Sequence, residues 1–406
     1  MTHALIVGAG IAGDTLAVFL ARDGWQVTVV ELAPSLRTGG QTVDLRGDSR
    51  EVLVDLGLID SASAHLISQR GIAWIRADGS RLAEMPVEAF DGQGLISKEE
   101  LLRSDLAAVL HRAAKDAGVK HRFGDTIEEI VDGADGVDVR FRSGGRQRFA
   151  LVVGADGAHS RTRGIHFGPE SRYRKPLGLA HAWFTLREQA DTPALDGWAL
   201  SYNEPGRRGL TARPGHPGHQ EIGMTFAAED VPRDREAQLA VLDDAFAGVG
   251  WRADEFLAAA RIAPDFALDT YDQIRMDQAW SKGRVVLIGD AAWCTSPLSG
   301  LGTALALVGA SRLADSLRRH DVRDIPAAAR VAAAFESFES AMRPRATAAQ
   351  KLLPGRIGMV APKTTFAIRL NAFVMRALQA RVLVPLVALL ASGRGHHGPA
   401  LAEARA

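Results

Sequence analysis

Three glycine-bearing segments of this 406-residue chain carry residue types and spacings that could hold a phosphorylated ligand. In the first, Gly8, Gly10 and Gly13 form GxGxxG between an apolar run (Ala4, Leu5, Ile6, Val7) and a helical pattern over residues 16–22. Gly8 permits a sharp turn, Gly10 lets backbone amides approach a pyrophosphate, and Gly13 lets helix and strand pack closely. The free N–H groups and positive dipole end of the helix start favour an anion. A second apolar run, 26–30, ends at Glu31, eighteen residues past Gly13. A carboxylate there accepts ribose hydroxyls and disfavours a 2′-phosphate. Strand, glycines, helix, strand and acid in this order read as a dinucleotide site, with NAD and FAD both open at this point.

The second segment, Asp156, Gly157, Ser160 and Arg163, follows the apolar run 151–154, and the third follows 284–288 with Gly289, Asp290, Pro297, Gly300, Leu301 and Gly302. Asp290 ends a parallel-type strand, where a ligand-facing acid belongs in an open α/β sheet. Gly300 and Gly302 introduce a small-residue helix from Thr303 to Leu317, whose positive end can point at a ligand ring that a side chain would obstruct.

Together these segments resemble the class A flavoprotein monooxygenases, single-component FAD enzymes of the para-hydroxybenzoate hydroxylase fold, over residues 4 to about 315. The run from Gly39, Gly40 and Gln41 to Leu45, and that from Ser97 to Arg103, are similar to the branch holding tetracycline-inactivating monooxygenases and antibiotic-tailoring hydroxylases. The resemblance implies FAD, held by Gly8, Gly10, Ala12, Gly13, Glu31, Leu32, Arg37, Arg103, Asp156, Gly157, Gly289, Asp290, Pro297, Gly300, Leu301, Gly302 and Thr303. Pro297, Gly300 and Gly302 would shape the flavin-ring surroundings, with no acid or base assigned. It implies NADPH or NADH as transient co-substrate and addition of O2 at flavin C4a to give a hydroperoxide. That species would hydroxylate or epoxidise an aromatic, polycyclic or polyketide-like small molecule. Two positions depart from the family pattern: Trp293 stands where histidine is common, and Ala304 where asparagine is common.

The elements that must position these residues read as an α/β chain, with a Rossmann-like FAD-binding domain interleaved with an α+β substrate domain. The expected division is 1–72, 96–175 and 272–345 for the cofactor, 73–95 and 176–271 for the substrate sheet, and 346–406 for a C-terminal helical region. Strand-like runs at 181–186, 198–202 and 221–226 nominate His181, Trp183, Trp198, Tyr202, Arg213 and Met224 as substrate-contacting, with Trp293 either packing or touching flavin or substrate. Alternate positions on a strand face either pocket or core, so spacing alone does not choose among them. His216 and His219 fall in a Gly- and Pro-rich turn over 213–218, and no Cys or His cluster has metal spacing, so no metal is expected. Helices are expected over 49–56, 101–117, 233–247, 327–342 (stopped by Pro344) and 366–391, the last packed across both domains.

Lys plus Arg and Asp plus Glu number 48 each, which argues against a nucleic-acid partner. A single cysteine, Cys294, excludes an internal disulfide and fits a reducing cytoplasm. The short charge-free stretch from Val382 to Ala391 is too short to span a bilayer. The expected particle is a cytoplasmic monomer or weak homodimer. A reductase or dehydrogenase of the same fold, a flavin-dependent halogenase, and a non-redox flavoprotein or substrate-sequestering binding protein are the competing readings. The halogenase needs a lysine and a tryptophan-rich segment that do not stand out here.

Overall fold

Four buried residues open the chain as β1 (His3–Val7), which turns directly into α1 (Ile11–Arg22) and returns as β2 (Gln26–Glu31). The computed structural model describes residues 2–45, 47–89, 96–133, 135–320 and 327–379. After β3 (Thr42–Asp44), α2 (Asp48–Asp55) and α3 (Ile59–Ser63), the chain departs to β4 (Gly71–Ile75) and β5 (Arg81–Pro86). It comes back through β6 (Glu100–Leu102), α4 (Arg103–Asp116) and β7 (Lys120–Phe123). A meander, β8 (Ile127–Gly133), β9 (Gly136–Phe141) and β10 (Arg146–Phe149), precedes β11 (Leu151–Gly154) and α5 (Arg161–His166).

The second unit comprises β12 (Arg174–Arg187), β13 (Trp198–Glu204), β14 (Arg208–Pro214), β15 (His219–Phe226), α6 (Arg235–Phe246), α7 (Ala253–Ile262) and β16 (Ala267–Ile274). The chain then returns through β17 (Ser281–Lys282), β18 (Val285–Leu287), α8 (Asp290–Trp293) and α9 (Gly302–Arg319), and ends its described part with α10 (Ala327–Gln350), α11 (Arg356–Val360) and α12 (Thr365–Gln379).

Two sheets organise the site. One has the order β17-β18-β11-β1-β2-β7, parallel throughout except for β17. Its central strands are apolar on both faces because both are covered: Ala4, Ile6, Val29 and Val153 pack against α1, α4 and α9, and Leu5, Val7, Val30 and Val152 against Val137, Val139, Phe141 and Phe149 of the β8–β10 meander. The other, β16-β12-β15-β14-β13-β4-β5, is antiparallel except where β13 meets β4. Phe184, Leu210, Ile222 and Phe226 point from one face of it into a core closed by Leu242 and Phe246 of α6 and Phe256 of α7. The opposite face carries alternate residues and looks at the nucleotide unit.

The helix expected from Leu101 begins at Arg103. Leu101 and Leu102 first pair with Val43 and Thr42 as β6, so their apolar side chains belong to a sheet before the helix starts. β14 occupies part of the expected turn, its Leu210 and Ala212 facing the core and Thr211 and Arg213 the other side. α10 runs through Pro344. Proline removes one backbone donor, but Phe335, Phe338, Met342, Ala346 and Ala349 are buried on both sides of it, and Arg343 donates to Glu339, Met276 O and Gln278 O. α12 packs through Ala372 and Met375 on Ala83 and Met85 of β5, rather than across both units; residues 380–406, with the run 382–391, lie outside the described part. Among the described residues no helix is long and apolar enough to cross a membrane.

Candidate active site

The registers Val7↔Val30, Val7↔Gly154 and Gly154↔Leu287 align the carboxyl ends of β2, β1, β11 and β18, so Glu31, Gly8, Asp156 and Gly289 line one edge of the parallel sheet. Chain connections diverge to either side of β1 at this edge, the place where an open α/β sheet binds ligands. Gly8 has φ +106°, and a Cβ on it would lie 2.5 Å from Ala155 O. A Cβ on Gly13 would lie 1.9 Å from Gly8 O, so helix and turn approach as only glycine permits. Gly10, the N-cap of α1, faces open space: its nearest described neighbour is Arg103 Nη2, 4.0 Å from a built Cβ.

Glu31 accepts hydrogen bonds from the backbone N–H groups of Ala9 and Ala33, both at 2.9 Å, which fixes its carboxylate beside the α1 entry. Leu32 and Arg37 are exposed just beyond it. Arg103, the first residue of α4, passes Gly40, where a Cβ would be 3.3 Å from its own, and reaches toward Gly10. Burial pushes its guanidinium down, Asp290 and Glu31 raise it, and Arg37 adds to the lowering. Asp290 is exposed along the cleft, yet the protein around it pushes its carboxyl up, with Arg103 opposing.

Gly289 packs on Ala12, whose Cβ lies 3.1 Å from one built on the glycine, and joins the two motifs. A Cβ on Gly302 would meet Asp290 Oδ1 only at 4.0 Å, so the start of α9 opens on the same cleft, with Thr303 part-exposed in its first turn. Gly300 turns the chain at φ +69°, and Pro297 and Leu301 are exposed on either side of it. Neither α1 nor α9 has a side-chain cap, leaving both N-termini free to donate to a ligand. An elongated dinucleotide fits this arrangement: glycine positions leave room at two helix starts, with a carboxylate near each and a guanidinium between.

Asp156 builds its own turn, accepting from Ser160 Oγ at 2.5 Å, Thr162 N at 2.9 Å and Thr162 Oγ1 at 3.0 Å. Gly157 follows at φ +81° with open space beside it. Ser160 in turn caps α5 by accepting from Arg163 N. Arg163 is fully buried and donates to Ala158 O at 2.6 Å and Ala291 O at 2.9 Å, bolting the second motif to the third.

Strand alternation divides the nominated substrate residues. His181, Trp183 and Arg213 lie on the face toward the nucleotide unit. His181 meets Thr225 Oγ1 at 2.7 Å and stacks between Trp183 and Tyr271; burial lowers its pKa to about 4. Arg213 donates to Glu100 at 2.6 Å and Gln69 at 3.2 Å, reaching across from the sheet to β6. Trp198, Tyr202 and Met224 fall on the other face, in the core under α6 and α7, which corrects their expected contact with substrate. Of the two alternatives for Trp293, the structure shows the packing one, not the contact with flavin or substrate. Trp293 is 2% exposed, packed on Trp280 and Phe338, and a Cβ on Gly309 would lie 2.8 Å from its ring.

Sequence reading passed over several residues that the site face assembles. Tyr271 packs on Leu298, next to Pro297, and its hydroxyl meets Thr225 and Gln41; burial pushes it up to about 12. Thr185 donates to Asp265 at 2.6 Å and lies 3.3 Å from Glu221, while Asp265 crowds Gly39. Once His181 is placed inward, alternation brings Trp183 and Thr185 with it, and the antiparallel register of β12 with β15 brings Thr225, Gly223 and Glu221. Cys294 is buried against Asp272 O, its thiol pushed up by burial, so it is a packed rather than reactive group.

Residues 1–321 match the FAD binding domain family (FAD_binding_3). An FAD-dependent monooxygenase of Sarocladium schorii is 32% identical over 385 residues, 88% of each chain, and an uncharacterized protein of Mycobacterium tuberculosis is 39% identical over 326 residues, 78% of this chain and 85% of its own. The crystal structure of tetracycline destructase Tet(51) superposes with a TM-score of 0.78 at 26% identity, covering 96% of this chain and 98% of that one. The cleft built by the three glycine motifs and these matches lead to one assignment: the chain belongs to the class A FAD-dependent monooxygenases of the para-hydroxybenzoate hydroxylase fold, with FAD as its cofactor.

Proposed function

We propose that the protein uses NADPH or NADH and O2 to hydroxylate or epoxidise an aromatic, polycyclic or polyketide-like small molecule, acting as a cytoplasmic monomer or weak homodimer. The observation that carries this reading is the inward face of the seven-stranded sheet. There His181 stacks with Trp183 and Tyr271 and meets Thr225 Oγ1, and Tyr271 packs on Leu298, next to Pro297. Similarity to a tetracycline destructase supports a polycyclic substrate.

When bound, FAD supplies hydride acceptance and oxygen transfer, chemistry that protein side chains lack. The chain's own residues bind, orient and exclude water. The N-terminus of α1 and Arg103 would take the pyrophosphate, Glu31 the ribose, and the N-terminus of α9 the electron-rich edge of the flavin ring. His181 and Tyr271 stay neutral at pH 7, since burial moves one to about 4 and the other to about 12. They therefore offer hydrogen bonds to a substrate hydroxyl or carbonyl without adding charge. Arg213, already paired with Glu100, positions that edge of the pocket.

The test incubates FAD-loaded protein with NADPH or NADH, 18O2 and a panel of polycyclic phenols. One compound should accelerate nucleotide oxidation and gain a single 18O atom. Failure of both nucleotides to reduce the flavin with every compound would overturn the reading.

A further inference from the structure

Away from the cofactor cleft, three metal-ligating side chains from three different elements meet beside the edge strand β7. Asp14 comes from the first turn of α1, His111 from α4 and His121 from β7. The Asp14 carboxylate is 1% exposed and lies 2.8 Å from His121 Nε2 and 3.3 Å from His111 Nδ1. One ligand atom from each residue falls within 4.8 Å of the others. Two donors bound about 2.1 Å from one divalent ion stand about 3.0 to 3.4 Å apart at octahedral or tetrahedral angles, close to the spacings seen here.

We infer that Asp14, His111 and His121 form a binding site for one first-row transition-metal ion, of which Zn2+ and Co2+ are the probes. Two imidazoles and a carboxylate favour such ions over Mg2+ or Ca2+, which take all-oxygen sets. The role is structural: the ion ties the edge strand to α1, whose first turn borders the cofactor cleft. His111 is 16% exposed and marks the route of entry. His121 Nδ1 has no hydrogen-bond partner among the described residues, so the bond that usually orients a metal-bound imidazole is missing. Such a loss lowers affinity by about 10- to 100-fold relative to a site that keeps the bond.

The test uses chelator-treated, FAD-loaded protein titrated with Zn2+ or Co2+, reading bound metal by mass spectrometry and the visible ligand-field bands of Co2+. One equivalent should bind and raise the melting temperature by a few degrees. His111→Ala and His121→Ala should each weaken binding at least tenfold, and His219→Ala, on the exposed hairpin, should not. His111→Gln serves as a milder variant, with flavin content confirming the fold. Absence of a saturable equivalent, or binding that survives His111→Gln and His111→Ala unchanged, would overturn the site and leave an aspartate-bridged histidine pair.

Discussion

Gly13 in the cofactor cleft and Trp198 in the seven-stranded sheet are both buried, but they are constrained by different things. A Cβ at position 13 would lie 1.9 Å from Gly8 O, so one atom decides the residue. Trp198 instead shares its strand with Ser201 and Asn203, and only the parity of its position sends it to the helix-backed core rather than to the pocket. Motifs in the cleft are local geometry written into residue type. Pocket and core in the sheet use the same residue types, and are told apart by register with distant strands.

The largest expected effect tests the cleft half of that contrast. Gly13→Ala should cost about 4 kcal/mol or more, because backbone rather than a flexible side chain must move, and should yield protein that neither melts cooperatively nor retains flavin. Gly10→Ala meets only Arg103 Nη2, at 4.0 Å, and should melt within about 1 kcal/mol of the unsubstituted apoprotein. Its flavin-to-protein absorbance ratio should fall at least tenfold, since the methyl occupies the space a pyrophosphate needs. Full flavin retention by Gly10→Ala would show that the phosphates lie elsewhere.

Parity is tested by two tryptophans. Trp198→Ala should cost about 3 to 5 kcal/mol, the range for emptying a large core site, with KM unchanged in the protein that remains folded. Trp183→Ala removes a part-exposed ring from the opposite face and should shift stability by about 1 kcal/mol or less, while raising KM and wasting reduced nucleotide as peroxide. Urea melts set against steady-state kinetics separate the two, and a reversal of the pattern would invert the assignment of faces.

The parallel sheet and its three glycine motifs were legible because each motif sits within about a dozen residues and ends a strand of unbroken apolar character. What was not legible depended on pairing. β6 reads as the start of a helix until its backbone is seen bound to β3, and Pro344 reads as a stop until the buried residues on either side of it are seen to hold α10 together. Trp293 follows a cofactor motif closely enough to suggest the flavin, but its backbone turns the ring into the space that Gly309 leaves free. Asp14, His111 and His121 have no recognisable spacing because three separate elements deliver them.

A smaller effect distinguishes the polar end of the pocket from its aromatic end. Burial, and then the neighbouring Asp265, raise the Glu221 carboxyl to about 7. A group whose folded pKa lies above its unfolded value is at its most favourable below pH about 4.5, and that advantage is lost as pH rises through about 7. Glu221→Gln removes the titration, so it should match the unsubstituted protein at pH 5 and exceed it at pH 8.5 by on the order of 2 kcal/mol. Urea melts at the two pH values check this. Parallel loss of stability in both proteins would place the pH dependence on another group.

The smallest effect lies where the two regions touch. His159, in the second motif, bridges Asp269 of β16 at 3.1 Å and Glu170 at 3.0 Å, and these partners raise its pKa to about 10. Here too the folded value exceeds the unfolded one, so the bridge contributes fully below pH about 6.5 and fades as pH climbs through about 10. The imidazole is 47% exposed, and solvent screening holds its worth below about 1 kcal/mol. His159→Gln should therefore melt slightly lower at pH 6 in low salt, and the gap should close both in high salt and at pH 10.5. A loss much larger than this, insensitive to salt, would mean that cleft and sheet are held in register by this one bridge rather than by the broader contacts of Arg213, Tyr271 and Asp265 with the nucleotide unit.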